Sequence, residues 1–192
     1  MTLPVKPPAP FKPLRGVRIL SLALNLPGPA ALMRLQALGA SCSKVEPPSG
    51  DPMGLYNRTA YDTLHQGVKV SSADLRTEAG QKAVHKLLAR ADILLTSFRP
   101  SALRKLGMDW AHLRKSYPAL SQIDIVGAAG ARAEEPGHDL TYMAEHGLVQ
   151  GLDLPPSLFA DMGGSLAAVE AVMAALLQQR AKGKGVHREV AL

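Results

Sequence analysis

The sequence predicts an α/β domain built on a parallel sheet, on three observations. Short apolar runs of strand length alternate with segments whose apolar residues recur at helical spacing, from Gly16 to the last residue. The first such unit is strand, helix, strand, whose usual solution is a right-handed crossover between parallel strands. At 192 residues the chain is long enough for one domain with a substantial core.

The elements follow in order. Gly16 to Leu22 is a short apolar run after a turn residue and predicts a first buried strand. Pro27-Gly28-Pro29 breaks it. Pro29 suits the first turn of a helix, which runs through Ala30–Leu38 until Gly39 stops it. Ser41–Glu46 predicts the second strand. Pro47–Tyr61 is dense in Pro, Gly, Ser and Asp and is longer than an ordinary connector, so it reads as a loop, for binding or simply mobile. Val68–Leu75 predicts a strand, Thr77–Arg90 a helix and Ala91–Ser97 a strand. Short helices at Ser101–Leu106 and Trp110–Ser116 flank Gly107, and Ile123–Val126 is a further strand. Asp139–Val149 and Ser165–Gln179 predict helices, the second ended by Lys182-Gly183, and Val186–Leu192 closes as a strand. From Leu166 to Leu177 the one charge is Glu170, which predicts a buried central helix or an interface helix. Residues 1–13, rich in Pro and Lys, read as a flexible arm preceding a domain at 14–192.

Composition narrows the function. Hydrophobic residues make up 46% and charged residues 20%, as in ordinary globular proteins. No uninterrupted apolar run reaches the roughly 18 residues of a membrane span, so no membrane contact is expected. Lys and Arg exceed Asp and Glu by 22 to 16, which favours anionic partners. The basic residues are scattered and aromatics are 4%, so a phosphate-bearing small molecule fits better than nucleic acid. Cys42 is the single cysteine, which excludes an internal disulfide and suits a cytoplasmic address. The histidines stand in no ligand spacing with Cys42, so no metal site is expected. Gly127–Gly130 lacks the third glycine and the later acidic residue of a dinucleotide fingerprint, which argues against NAD.

Two segments carry candidate chemistry. Pro136-Gly137-His138-Asp139-Leu140-Thr141-Tyr142 and Asp161-Met162-Gly163-Gly164 offer an imidazole and a carboxylate, each near glycine. On the residues alone, Asp161 is most simply a helix N-cap worth about 1 kcal/mol. Asp139 is then a second cap, His138 a loop histidine and Arg99 a solvated side chain.

The motifs Gly16-Val17-Arg18-Ile19-Leu20, Pro27-Gly28-Pro29-Ala30, Leu38-Gly39-Ala40, Lys44-Val45-Glu46, Ala73-Asp74-Leu75, Ala91-Asp92-Ile93-Leu94, Phe98-Arg99-Pro100, Gly137-His138-Asp139 and Asp161-Met162-Gly163-Gly164 occur in an order that resembles one family. It is the class III CoA-transferases and related alpha-methylacyl-CoA racemases, of CaiB/BaiF type. The resemblance covers roughly residues 14 to 192 and implies a Rossmann-like open parallel sheet with helices on both faces, lacking the family's small domain. It further implies a CoA thioester as substrate rather than a resident cofactor. A homodimer, or a partner chain supplying the missing C-terminal portion, is also implied.

By motif, Asp161 matches the aspartate that attacks the thioester in the transferases and moves a proton in the racemases. His138 matches the second racemase base. Arg99, Lys69, Ala73-Asp74-Leu75-Arg76, Gly137, Asp139 and Tyr142 match CoA-binding segments. Gly163 and Gly164 would let the thioester approach the backbone and offer N–H groups to its oxyanion. Pro47 and Gln66-Gly67-Val68 stand where the family often has basic residues, which implies a weaker phosphate grip. The expected function is acyl-CoA processing, either racemisation through His138 and Asp161 or CoA transfer through Asp161. The alternative is a truncated, non-catalytic relative that binds CoA weakly or serves as a subunit.

Overall fold

A computed structural model describes residues 11–192; the expected arm at 1–13 lies, up to Pro10, outside the described residues. The domain begins at Leu14, which is buried and donates its N–H to Leu38 O at 3.0 Å.

Six parallel strands form one sheet in the order β3-β2-β1-β4-β5-β6: β1 Arg18–Ser21, β2 Ser41–Glu46, β3 Lys69–Ser72, β4 Ile93–Thr96, β5 Ser121–Val126 and β6 His187–Ala191. Alternation along each strand sends side chains to two cores. Ile19, Ile93, Leu95, Ile123 and Ile125 pack under helices α1 (Pro27–Ala37) and α8 (Phe159–Lys182). Leu20 and Leu94 face the other way, against Val84 and Leu88 of α4 (Glu78–Leu88), Leu103 of α5 (Pro100–Lys105) and Leu113 of α6 (Trp110–Ser116). The central strands β1, β4 and β5 are covered on both faces and are buried almost throughout, whereas the edge strand β3 is exposed along its length.

Three local expectations change. The segment expected as a loop holds two short helices, α2 (Met53–Tyr56) and α3 (Arg58–Leu64). Asn57 begins α3 by accepting Ala60 N–H at 3.0 Å, and buried Met53 and Leu64 anchor the pair beside α1. The long helix α8 begins at Phe159 rather than Ser165, so Asp161 lies within its first turn instead of capping it. Glycines at 163 and 164 suggest a later start, but Gly164 is buried under Leu192, and packing overrides their weak helix propensity. Gly183 ends the helix in the left-handed conformation, φ +67°.

Finally, α8 is 24 residues long with an 18-residue window of mean hydropathy 1.4, enough to cross a membrane by length and composition. A count of uninterrupted apolar residues misses this because the window mean tolerates isolated charges such as Asp161 and Glu170. In the domain α8 is the crossover from β5 to β6, with one face on the sheet and α1. Its opposite side exposes Phe159, Met162, Leu166, Met173 and Leu177.

Candidate active site

The crossover from β1 runs to β2 and the one from β3 returns to β4, on the other side of β1. Neighbouring connections therefore diverge at the carboxyl ends of β1 and β4, leaving the crevice in which open α/β sheets bind ligands. The crevice here is lined by Leu24, Asn25 and Pro27 after β1, by Ser97, Phe98 and Arg99 after β4, and by Val126 and Gly127 at the end of β5. Gly137, His138, Tyr142, Asp161 and Leu192 also line it, with Glu135 among the remaining residues. His138 and Asp161, 23 positions apart in sequence, thus share one cleft.

Helix α7 (Asp139–Glu145) joins the two segments. His138 is its N-cap residue, with an exposed side chain, and donates its backbone N–H to Thr141 Oγ1 at 3.4 Å. Asp139 is buried, and its Oδ1 accepts the Asp161 backbone N–H at 2.9 Å. The carboxylate expected to cap α7 therefore satisfies one of the unpaired N–H groups at the start of α8, fixing the two helix starts against each other. Burial pushes the Asp161 carboxyl up to about 6; the Asp139 carboxylate adds to the rise and His138 opposes it.

Tyr142 lies across Gly127 and Gly137, where a Cβ at either glycine would overlap its ring. Gly137 thus has a packing reason independent of any ligand. Tyr142's hydroxyl is pushed up first by burial and then by Asp161, with Arg99 opposing. Arg99 is exposed at the start of α5 and makes no ion pair among the described residues, leaving its guanidinium free for an anion.

The other CoA candidates separate. Ala73, Asp74, Leu75 and Arg76 line a second, apolar cavity with Val45, Glu46, Pro47, Phe98 and Leu106, and Phe98 borders both cavities. Arg76 makes two bonds to the Asp74 carboxylate, at 2.9 and 2.8 Å, and holds it down at about 2. Lys69 joins neither cavity. It begins β3, so it sits at the amino end of the strand while Ala73 follows the carboxyl end. Gly163 and Gly164 also lie outside the crevice lining. Their N–H groups fall past the first turn of α8 and are used within the helix, so they are not free for an oxyanion.

Sequence reasoning missed a buried cluster behind the crevice. Lys44 Nζ is fully buried, 2.5 Å from Asp51 Oδ2, 3.0 Å from Glu46 Oε1 and 2.9 Å from His65 Nε2. Tyr61 OH donates to Glu46 Oε1 at 2.8 Å, which helps raise it to about 12 after the larger effect of burial. His65 Nδ1 lies 2.7 Å from Tyr61 O, so the tautomer with Nδ1–H donating and Nε2 accepting satisfies both contacts. Burial lowers the His65 pKa, in keeping with that neutral form. Glu46, Asp51 and His65 are close enough to hold a metal ion, but the Lys44 ammonium stands among them as the cation. The available signal was Lys44-Val45-Glu46, two charges alternating inside an otherwise buried strand.

Comparison with known proteins settles the family. The model for CoA-transferase family III matches residues 14–192. The chain belongs to that family. The cinnamoyl-CoA:phenyllactate CoA-transferase of Clostridium sporogenes is 32% identical over 191 residues, covering 88% of this chain and 46% of that protein. The succinyl-CoA–D-citramalate CoA-transferase of Chloroflexus aurantiacus is 34% identical, covering 92% and 48%. A CaiB/BaiF family protein of Brucella suis superimposes with a TM-score of 0.83 at 30% identity, over 93% of this chain and 52% of that one. This family III chain therefore spans about half the length of the relatives it matches.

Proposed function

We propose that this chain carries the thioester crevice of an acyl-CoA-processing enzyme and acts in CoA transfer, with Asp161 as nucleophile. The observation that carries the reading is the Asp161 carboxyl, sheltered at the topological switch point and pushed up to about 6. Such a carboxyl is ionised at neutral pH yet more basic than an exposed one, which favours attack on a thioester carbonyl. Its attack forms an aspartyl acyl anhydride as the carbon–sulfur bond breaks, and CoA leaves as thiolate. The free Arg99 guanidinium at the rim suits a phosphate of CoA, and the apolar cavity around Ala73–Arg76 suits a less polar part of the same molecule. The transferase names of the relatives support this branch.

Racemisation is the second reading, favoured by His138 lining the same crevice as Asp161. There one group removes the α-proton and the other returns a proton to the opposite face. Since the chain is half the length of its relatives, the reading includes a second copy, or a partner chain supplying a C-terminal portion, over the exposed apolar side of α8.

One incubation decides among these. The protein is mixed in D2O with an acyl-CoA and a second carboxylic acid, and the native mass is recorded. Transfer predicts the second acid's CoA thioester with no α-deuterium; racemisation predicts α-deuterium in the starting thioester. Binding without either product favours the non-catalytic alternative, and absence of binding by every assembly present contradicts the proposal.

A further inference from the structure

Lys44 and Asp51 lie behind the crevice rather than on it, and the chemistry proposed above gives them no task. The ammonium's three N–H bonds have three acceptors in Asp51, Glu46 and His65, so the buried charge is fully partnered. Asp51 then spends its remaining lone pairs on backbone. Its Oδ1 accepts from Asn25 N–H at 3.0 Å and from Met53 N–H at 3.0 Å, and its Oδ2 lies 3.2 Å from Asn25 N.

Asn25 is the one non-glycine residue with a left-handed backbone among those described, φ +63°. That conformation disfavours side chains generally, although asparagine tolerates it, and it persists where surrounding contacts over-determine it. The contacts here are two tethers on successive N–H groups: Leu24 N–H to Ser97 Oγ at 3.2 Å, and Asn25 N–H to Asp51. Leu24 and Asn25 form the β1 side of the crevice, while His138 and Asp161 enter beyond β5.

We propose that Asp51, locked by the Lys44 ammonium, is a positioning residue that holds the Asn25 turn as the β1 wall of the crevice, setting where the acyl-CoA thioester meets Asp161; the claim rests on the function proposed above.

The test uses the 15N-labelled protein and the variants Asp51→Ala, Asp51→Asn and Leu113→Ala. It reads the exchange rate of the Asn25 amide and the Kd for acetyl-CoA. Leu113 lies in the far core and lines no crevice, so its variant matches lost stability without touching the wall. Asp51→Ala is expected to raise Asn25 exchange and acetyl-CoA Kd at least about tenfold, because a bonded N–H loses its acceptor. Asp51→Asn keeps an oxygen acceptor and recovers part of both. Leu113→Ala keeps the wild-type Kd.

If Asp51→Ala does not fold, Asp51→Asn against Leu113→Ala decides by the same two readouts. Unchanged Asn25 exchange, or an unchanged Kd, overturns the proposal. Should wild-type protein fail to bind acetyl-CoA, the acyl-CoA reading falls. The Asn25 amide still decides the positioning claim, and retained protection in Asp51→Ala contradicts it.

Discussion

The Asp161 carboxyl sits between two opposing demands. Burial and the nearby Asp139 carboxylate hold its proton to about pH 6, against an ordinary value of 3.8. The folded state therefore favours the protonated form. The stability this gives is full below about pH 3.8 and is lost as pH rises through about 6. The side chain is only half-buried, so solvent screening reduces the contribution to about 1–2 kcal/mol, below the full conversion of the shift. Asp161→Asn, which mimics the protonated side chain, is expected to raise unfolding free energy by about that amount at pH 8 and scarcely at all at pH 3.5, while abolishing transfer. Urea unfolding at the two pH values checks it, and equal effects at both would show that the carboxyl is not perturbed. Activity runs the other way, since transfer needs the carboxylate and should rise with pH through about 6.

Helix α8 marks how far the sequence could be read. Its apolar circumference and its stop at Gly183 were legible because both follow from local side-chain and backbone preferences. Its start was not, because Gly163 and Gly164 lower helix propensity while the bond from Asp161 N–H to Asp139 comes from another segment. The helices that begin within 47–61 were hidden for the same kind of reason. Pro, Gly and Asp there read as a loop, yet Asp51 anchors the segment to Lys44 in β2 across seven residues. The motif residues His138, Asp161 and Arg99 did converge, whereas Lys69 and the glycine N–H groups did not, since no motif records which end of a strand or turn of a helix a residue occupies. Gly163 gives an element-scale prediction. Nothing lies within 4 Å of a Cβ there, so Gly163→Ala should stabilise α8 by about 0.5–1 kcal/mol and leave acyl-CoA affinity unchanged. A gain in stability with a tenfold loss of affinity would restore a ligand contact at that glycine.

The whole molecule is a parallel sheet whose strand order creates one switch point, and the candidate chemistry gathers there from three connections, α7 and α8 both lying between β5 and β6. Loops after β1 and β4, helix α7 and the first turn of α8 each contribute a wall or a reactive group. The fold alone does not choose a reaction; the choice rests on Asp161 as an activated carboxylate. Hydroxylamine added during incubation with an acyl-CoA tests this most directly, with mass analysis of the peptide containing residue 161. Attack on the aspartyl carbonyl of the anhydride leaves a hydroxamate on Asp161 and releases the acyl group as its carboxylate. That modification is expected at Asp161, dependent on acyl-CoA and absent from Asp161→Asn. An unmodified Asp161 in protein that demonstrably turns acyl-CoA over would contradict it.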